Sequence, residues 1–268
     1  MELIVLGSGT AVPHPTRSSS GFWLQTGGGT LLLDISASAL HRIAQEGLDW
    51  PSLDSIWISH FHLDHCGGLA PFLFATRRAP ATAKRKKPLR IYGARGLRRL
   101  IELFDAASDH RVLDQPFPVE IIEIEPLAKF EILNGVEAVA YSTQHTSDSH
   151  AIHLREKETT FVYTADTGFD EAIAAFARRV DLLLIECSFV RNKPTEKHLE
   201  LIEAVQLIRR AEPKRAMLTH FYSEWDDVNF EEEIRMLHAG VEIIEATDGL
   251  KVGIGESTNA KAKVKSKK

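Results

Sequence analysis

The run His60-Phe61-His62-Leu63-Asp64-His65 decides how the rest of this 268-residue chain is read. Three imidazoles and a carboxylate in so short a span make a poor core segment, because each must be hydrogen-bonded, exposed or bound to a metal. Residues two apart project to the same side of an extended backbone, so His60 and His62 can converge on one ion from a loop. Asp64 and His65, just beyond, are placed to reach a second ion nearby. The helical His-Glu-x-x-His pattern of zinc proteases is absent. A solvent-exposed polar loop is the alternative reading, but clustered imidazole and carboxylate are the ligand types of a metal site, and a metal site requires further ligands elsewhere in the chain.

Composition sets the frame. With 44% apolar and 26% charged residues there is ample material for a buried core, and one domain is expected over residues 1–255. A net charge of −5 and a pI near 6.2 do not advertise a polyanion partner. Cys66 and Cys187 are too few for a disulfide framework and read as reduced thiols of a cytosolic protein. Glu2 stands where a secretory signal would carry bases, and no apolar stretch approaches the ~20 residues needed to span a bilayer. A cytoplasmic location without a membrane partner is expected. Beyond residue 255 a tail with Lys261, Lys263, Lys265, Lys267 and Lys268 is expected to be disordered.

Patterning along the chain predicts strands first, then alternating helices and strands. Strands are expected at 3–6, 21–25 and 30–34, the last two forming a hairpin around Gly27-Gly28-Gly29, and again at 54–59, 88–92, 119–124, 131–133, 136–142, 151–154, 160–164, 182–185, 216–219 and 241–245. Helices are expected at 37–45, 69–75, 96–107, 171–178, 197–210 and 230–238, with a basic linker over 77–87. Neither Gly7-Ser8-Gly9 nor Gly27–Gly29 has the residues of a nucleotide loop, so both read as turns. The fold class is therefore α/β, two mixed sheets packed face to face with helices outside. In such arrangements functional side chains gather at the carboxyl ends of strands.

That rule finds the missing ligands. His145, Asp166 and His220 each follow an expected strand (136–142, 160–164, 216–219). His60, His62 and His145 would serve one ion, and Asp64, His65 and His220 another. Asp166 would bridge, because a carboxylate has two oxygens and an imidazole cannot span two ions. The donors suit two divalent ions, zinc best, with Mn2+ or Fe2+ as alternatives. A water shared by such ions has its pKa lowered toward neutrality, which points to hydrolysis.

The run His60-x-His62-x-Asp64-His65 followed by His145, Asp166-Thr167 and His220 resembles the metallo-β-lactamase superfamily over nearly the whole chain. Leu6-Gly7-Ser8-Gly9, Ser18-Ser19-Ser20, Leu33-Asp34, the segment Lys87-Pro88-Leu89-Arg90-Ile91-Tyr92-Gly93, Glu186-Cys187-Ser188-Phe189 and Thr219-His220-Phe221 are similar to its ribonuclease Z branch. The resemblance implies an αβ/βα four-layer sandwich with a dinuclear site at one edge and an aspartate bridge of the kind found in phosphodiesterases and thioester hydrolases. It also implies that Glu186 and His198 assist catalysis, His198 by protonating the leaving oxygen and Glu186 by orienting it. With Asp64 they make up the expected catalytic set. His198 could instead be a surface residue at a helix N-terminus. Two departures stand out. Only 21 residues (166 less 145) separate His145 from Asp166, too few for the tRNA-gripping arm of ribonuclease Z, and Ala165 replaces the usual glycine before the bridging aspartate.

The expected function is a dinuclear phosphodiesterase acting on a small or cyclic phosphodiester. Alternatives are a tRNA 3′-end endonuclease, an ester, lactone or thioester hydrolase on the same site, and a non-hydrolytic di-metal redox or scaffold protein. Nucleic acid is not the favoured partner, the basic linker reads as a solvated loop before a phosphate contact, and a homodimer is left open. No substrate-binding residue is assigned. His14 and His150 could line the pocket, whereas His41, His110, His153 and His238 read as structural or exposed.

Overall fold

Strand β1 (Glu2–Gly7) buries every residue after Glu2, and its side chains divide between two cores. Leu3 and Val5 pack between the sheets, while Ile4 and Leu6 pack against helices on the outer face. The same alternation runs through β2 (Gly21–Thr26), β3 (Gly29–Leu33) and β4 (Ser55–Ile58), where Phe22, Leu24, Leu31, Leu33 and Trp57 face inward and Trp23, Leu32, Ile56 and Ile58 outward. A strand that is apolar on both faces belongs in the interior of a layered fold. The structure, a computed structural model, describes residues 1–255, so the expectation for the Lys-rich tail lies outside the described residues.

With β5 (Leu89–Gly93), β6 (Val119–Glu123) and β14 (Lys251–Gly253) these strands form a seven-stranded sheet in the order β14-β1-β2-β3-β4-β5-β6. The second sheet, also of seven strands, comprises β7 (Lys129–Leu133), β8 (Val136–Ser142), β9 (His150–Glu156), β10 (Thr159–Tyr163), β11 (Leu182–Glu186), β12 (Arg215–Thr219) and β13 (Glu242–Glu245), running from β13 to β7 across the sheet. Each is mixed: β3 to β6 and β10 to β13 are parallel, the remainder antiparallel. Trp57 and Tyr92 of the first sheet both stack on Phe130 of the second, at 6.1 and 5.4 Å between centroids, which locks the layers face to face. Helices α1 (Ala37–Gln45), α3 (Leu69–Arg78) and α4 (Leu97–Ala106) cover the outer face of the first sheet, and α6 (Leu201–Ala211) covers the second. Shorter pieces are α2 (Leu63–Cys66), α5 (Glu171–Phe176) and α7 (Phe230–Leu237). The αβ/βα sandwich expected from the sequence is the one observed.

The differences are local and have identifiable causes. Leu63–Cys66 makes a turn of helix inside what reads as a loop, with His62 in extended backbone before it. Helix α3 runs to Arg78, so the basic linker begins later, and Arg77 and Arg85 are tied to the protein while Arg78 is exposed. Arg77 donates to the Asp114 carbonyl at 2.9 Å and its carboxylate at 2.7 Å, and Arg85 donates to the carbonyls of Pro51, Leu53 and Pro88. Helix α6 starts at Leu201, not at 197, because the Glu203 carboxylate reaches back to the Glu200 N–H at 3.1 Å and fixes the first turn there. Strand β14 is too short and glycine-flanked to show an alternation. Among the described residues no helix is long and apolar enough to cross a membrane.

The glycine at the end of β1 is structural, as its sequence context suggests. A Cβ on Gly7 would overlap the carbonyl oxygen of Ser19. Gly7→Ala is expected to lower the unfolding free energy by about 1–3 kcal/mol, the usual cost of overpacking, seen as a lower denaturant midpoint at unchanged slope.

Candidate metal centre

Four strand ends meet at one edge of the two sheets. β4 passes through Ser59 into His60, β8 leads to His145, β10 to Asp166 and β12 to His220. His65 is carried in by the α2 turn, whose carbonyl at His65 accepts the Ile35 N–H at 2.7 Å. His60, His65, His145, Asp166 and His220 are buried, Asp64 is half-buried and His62 opens to solvent. They fall into two groups sharing Asp166: His60, His62, His145 and Asp166, and Asp64, His65, Asp166 and His220. His60 and His145 Nε2 each lie 3.7 Å from Asp166 Oδ2, and His62 Nδ1 lies 3.1 Å from His145 Nε2. In the second group His65 Nε2 is 3.3 Å from Asp166 Oδ1 and 3.6 Å from Asp64 Oδ2, and His220 Nε2 is 3.4 and 3.5 Å from Asp166 and Asp64 Oδ2.

Hydrogen bonds on the far side of the His60, His65, His145 and His220 rings fix which nitrogen faces the centre. His65 Nδ1–H donates to Asp34 Oδ2 at 2.7 Å, and His145 Nδ1–H to the Lys197 carbonyl at 3.0 Å, so both rings turn Nε2 inward. Ser59 Oγ donates to Asp34 Oδ2 at 2.8 Å and is thereby left to accept from His60 Nδ1–H at 3.0 Å. Ser188 Oγ plays the same part on the other side, donating to Glu186 Oε2 at 2.7 Å and accepting from His220 Nδ1–H at 2.9 Å. As a result the Nε2 atoms of His60, His65 and His220, together with Asp166 Oδ1, are buried without a hydrogen-bond partner. Each such atom costs about 1–3 kcal/mol unless something meets it. Donors separated by 3.3–3.7 Å are spaced as neighbours around an ion with bonds of roughly 2.0–2.2 Å would be. The residues therefore fit divalent cations.

Electrostatics point the same way. Burial pushes the Asp166 carboxyl up, but the charges of His220, His65 and His60 close around it hold it well below the usual carboxylate range. Asp64 is likewise depressed, against burial, by the close approach and charge of His220 and the charge of His65. Cys66 takes no part: burial pushes its thiol up to about 12, and Sγ donates to the Phe61 carbonyl. Both cysteines are free and buried.

Glu186 is buried and accepts from four donors, Thr167 N–H at 2.7 Å, Leu199 N–H at 3.2 Å, Ser188 Oγ and His198 Nδ1 at 2.9 Å. His198 precedes α6 and is not an exposed helix-end residue. Its ring stacks on that of His220 at 5.4 Å and lies 4.8 Å from that of His145. Burial pulls its pKa down, but the hydrogen bond and charge of Glu186 and the charges of Asp166 and Asp64 raise it overall. Asp34, Ser59 and Ser188 have no place in the sequence reading as orienting groups, nor does Asp148, whose carboxylate accepts the Phe61 N–H at 2.8 Å and holds the histidine loop. His14 is drawn away to Asp226 at 2.6 Å, and His150 is buried beside Ser59, outside both groups. His41, His110 and His238 are exposed, and His153 packs on Phe176 away from the centre.

Two facing seven-stranded sheets with this histidine and aspartate cluster at their common edge define a metal-dependent hydrolase of metallo-β-lactamase fold. The chain belongs to the family described as Anti-Pycsar protein Apyc1, whose family model matches residues 1–240. It is similar to the probable metallo-hydrolase YhfI of Bacillus subtilis (strain 168), 25% identical with 82% of this chain and 86% of the relative covered. It is also similar to ribonuclease Z of Bacillus cereus (strain AH187), 26% identical over a 308-position alignment covering 92% and 97%. The crystal structure of YhfI superposes with a TM-score of 0.77 at 22% identity over 94% of this chain and 98% of that one, and that of the short form of human tRNase Z with 0.74 at 21% over 96% and 100%. At these identities the structural likeness concerns the fold.

Asp34 offers a test of the orienting network. Asp34→Asn keeps the shape but replaces an acceptor of His65, and is expected to weaken metal affinity by about 10–100-fold, measured by chelator competition. Affinity equal to that of the unaltered protein would contradict the orienting role.

Proposed function

We propose that this hydrolase is a dinuclear phosphodiesterase acting on a small or cyclic phosphodiester, with zinc as the metal its donor set suits best. In this reading His60, His62 and His145 would hold one ion, Asp64, His65 and His220 the other, and Asp166 would bridge them. The observation that carries it is that Asp166 stands in both groups: Oδ2 faces His60 and His145 of the first, and Oδ1 and Oδ2 face His65 and His220 of the second. Such a pair of ions supplies an activated water and positive charge for the phosphoryl group under attack.

The chain's own residues supply the remainder. Glu186 occupies His198 Nδ1, which leaves Nε2, bonded to no described residue, as the atom that can deliver a proton to the leaving oxygen. Asp64 acts as a ligand, not as a separate base. The preference for a small substrate rests on β9 and β10, which are joined by the tight turn Lys157-Glu158 and fill the interval between His145 and Asp166. No arm stands there. The alignment with ribonuclease Z has at least 40 positions (308 less 268) that this chain does not fill.

Asp166→Ala removes a ligand from both ions, and metal analysis is expected to show at least one ion lost along with nearly all activity; full stoichiometry would overturn the bridging assignment. His198→Ala is expected to keep both ions and to slow turnover by about 10²–10⁴-fold for poor leaving groups, with little effect on p-nitrophenolate. Equal losses for both would contradict proton delivery. Hydrolysis of p-nitrophenyl acetate without any hydrolysis of bis-p-nitrophenyl phosphate would replace the phosphodiesterase reading with an ester hydrolase.

A further inference from the structure

The chain has four tyrosines, and three of their hydroxyls have partners within the protein. Tyr163 donates to Asp34 at 2.8 Å, Tyr141 to Asp170 at 3.0 Å and Tyr92 to the Glu131 carbonyl at 3.3 Å. Tyr222 is half-buried, yet its hydroxyl bonds to no described residue and is not sealed from solvent. A hydroxyl on a half-buried ring that takes no protein partner is open to a ligand or to water.

The position of Tyr222 supplies the reason. Its ring meets those of His220 and His198 edge-on, at 83° and 73°, with centroids 6.4 Å apart in both cases. It therefore stands on the wall of the metal centre, beside one candidate ligand and the expected proton donor. The ring is also fixed. It stacks on Phe189 at 4.8 Å and 13°, and its backbone N–H donates to the Ser188 carbonyl at 3.2 Å. Phe189 in turn is held through its own N–H and carbonyl, bonded to Leu199 and Leu201 at 3.2 and 2.9 Å. A donor held this rigidly needs little reorganisation when a ligand arrives.

We propose that Tyr222 contacts the substrate, its O–H donating a hydrogen bond to a non-bridging oxygen of the bound phosphoryl group. This rests on the phosphodiesterase reading above. The non-bridging oxygens of a phosphodiester carry its negative charge through the reaction, so a neutral donor aimed at one of them favours binding and reaction together.

Tyr222→Phe removes the hydroxyl and keeps the stacked ring. The metal-loaded variant and the unaltered protein are compared by metal analysis, by calorimetric titration with inorganic phosphate, and by kcat/KM on bis-p-nitrophenyl phosphate. The variant is expected to retain both ions, to bind phosphate about tenfold more weakly and to lose tenfold or more in kcat/KM. Phosphate affinity and kcat/KM within about twofold of the unaltered protein would overturn the assignment, as would loss of an ion, since the effect would then run through the metals. If the unaltered protein hydrolyses no phosphodiester, the phosphodiesterase reading fails on that result alone. Unchanged phosphate affinity in an otherwise active pair sinks only the role of Tyr222.

Discussion

Asp34 is a fully buried carboxylate with four donors, and the edge that holds the candidate site depends on it. Ser59 N–H and Oγ, His65 Nδ1 and Tyr163 Oη all donate to it, at 2.7–2.8 Å. A buried charge is tolerable only when its lone pairs are met, and once met it is costly to disturb. Because Tyr163 belongs to the second sheet and Asp34 follows β3 of the first, the bond set joins the layers where the metal-facing histidines emerge. Glu186 repeats the arrangement at the end of β11, again with four donors, and governs His220 through Ser188 and His198 directly. One acid per sheet orients the rings that its neighbouring loops deliver.

Three of the residues in left-handed backbone lie at the same places. Asp34, Ala165 and His220 all leave their strands at positive φ, 57°, 53° and 64°, a region that costs a residue with a Cβ on the order of 1–2 kcal/mol. Such conformations persist where surrounding structure over-determines them. Ala165 occupies the left-handed region directly before Asp166, a conformation in which glycine carries no such cost. Here the methyl group is accommodated in the inter-sheet core.

Much of this was legible in the sequence because ligand-type side chains beyond apolar strands are a local pattern. That rule alone picks out His145, Asp166 and His220 as candidates, and the apolar runs at 3–6, 21–25 and 30–34 mark strands buried on both faces. The orienting groups were not legible. Ser59 and Ser188 are common residues next to conspicuous ones, and the partners of Asp34 lie up to 129 residues away, so nothing within a sequence window announces them. The early start assigned to α6 failed for a related reason. Residues 197–200 have helical composition, but His198 and Leu199 bond to Glu186 instead of extending the helix.

The pairing of β1 with β14, Glu2 opposite Gly253, bears on the order in which the molecule can be assembled during synthesis. The first strand made waits for the last described strand to cover its free edge. Asp248 closes the same seam by accepting from Ser8 and Ser18 N–H groups at 3.0 and 2.8 Å. Contacts of such long sequence separation form late. A nascent chain that already carries every candidate ligand up to His220 still presents one open edge of β1 to solvent, and closure of the first sheet comes only as residues 248–253 leave the ribosome.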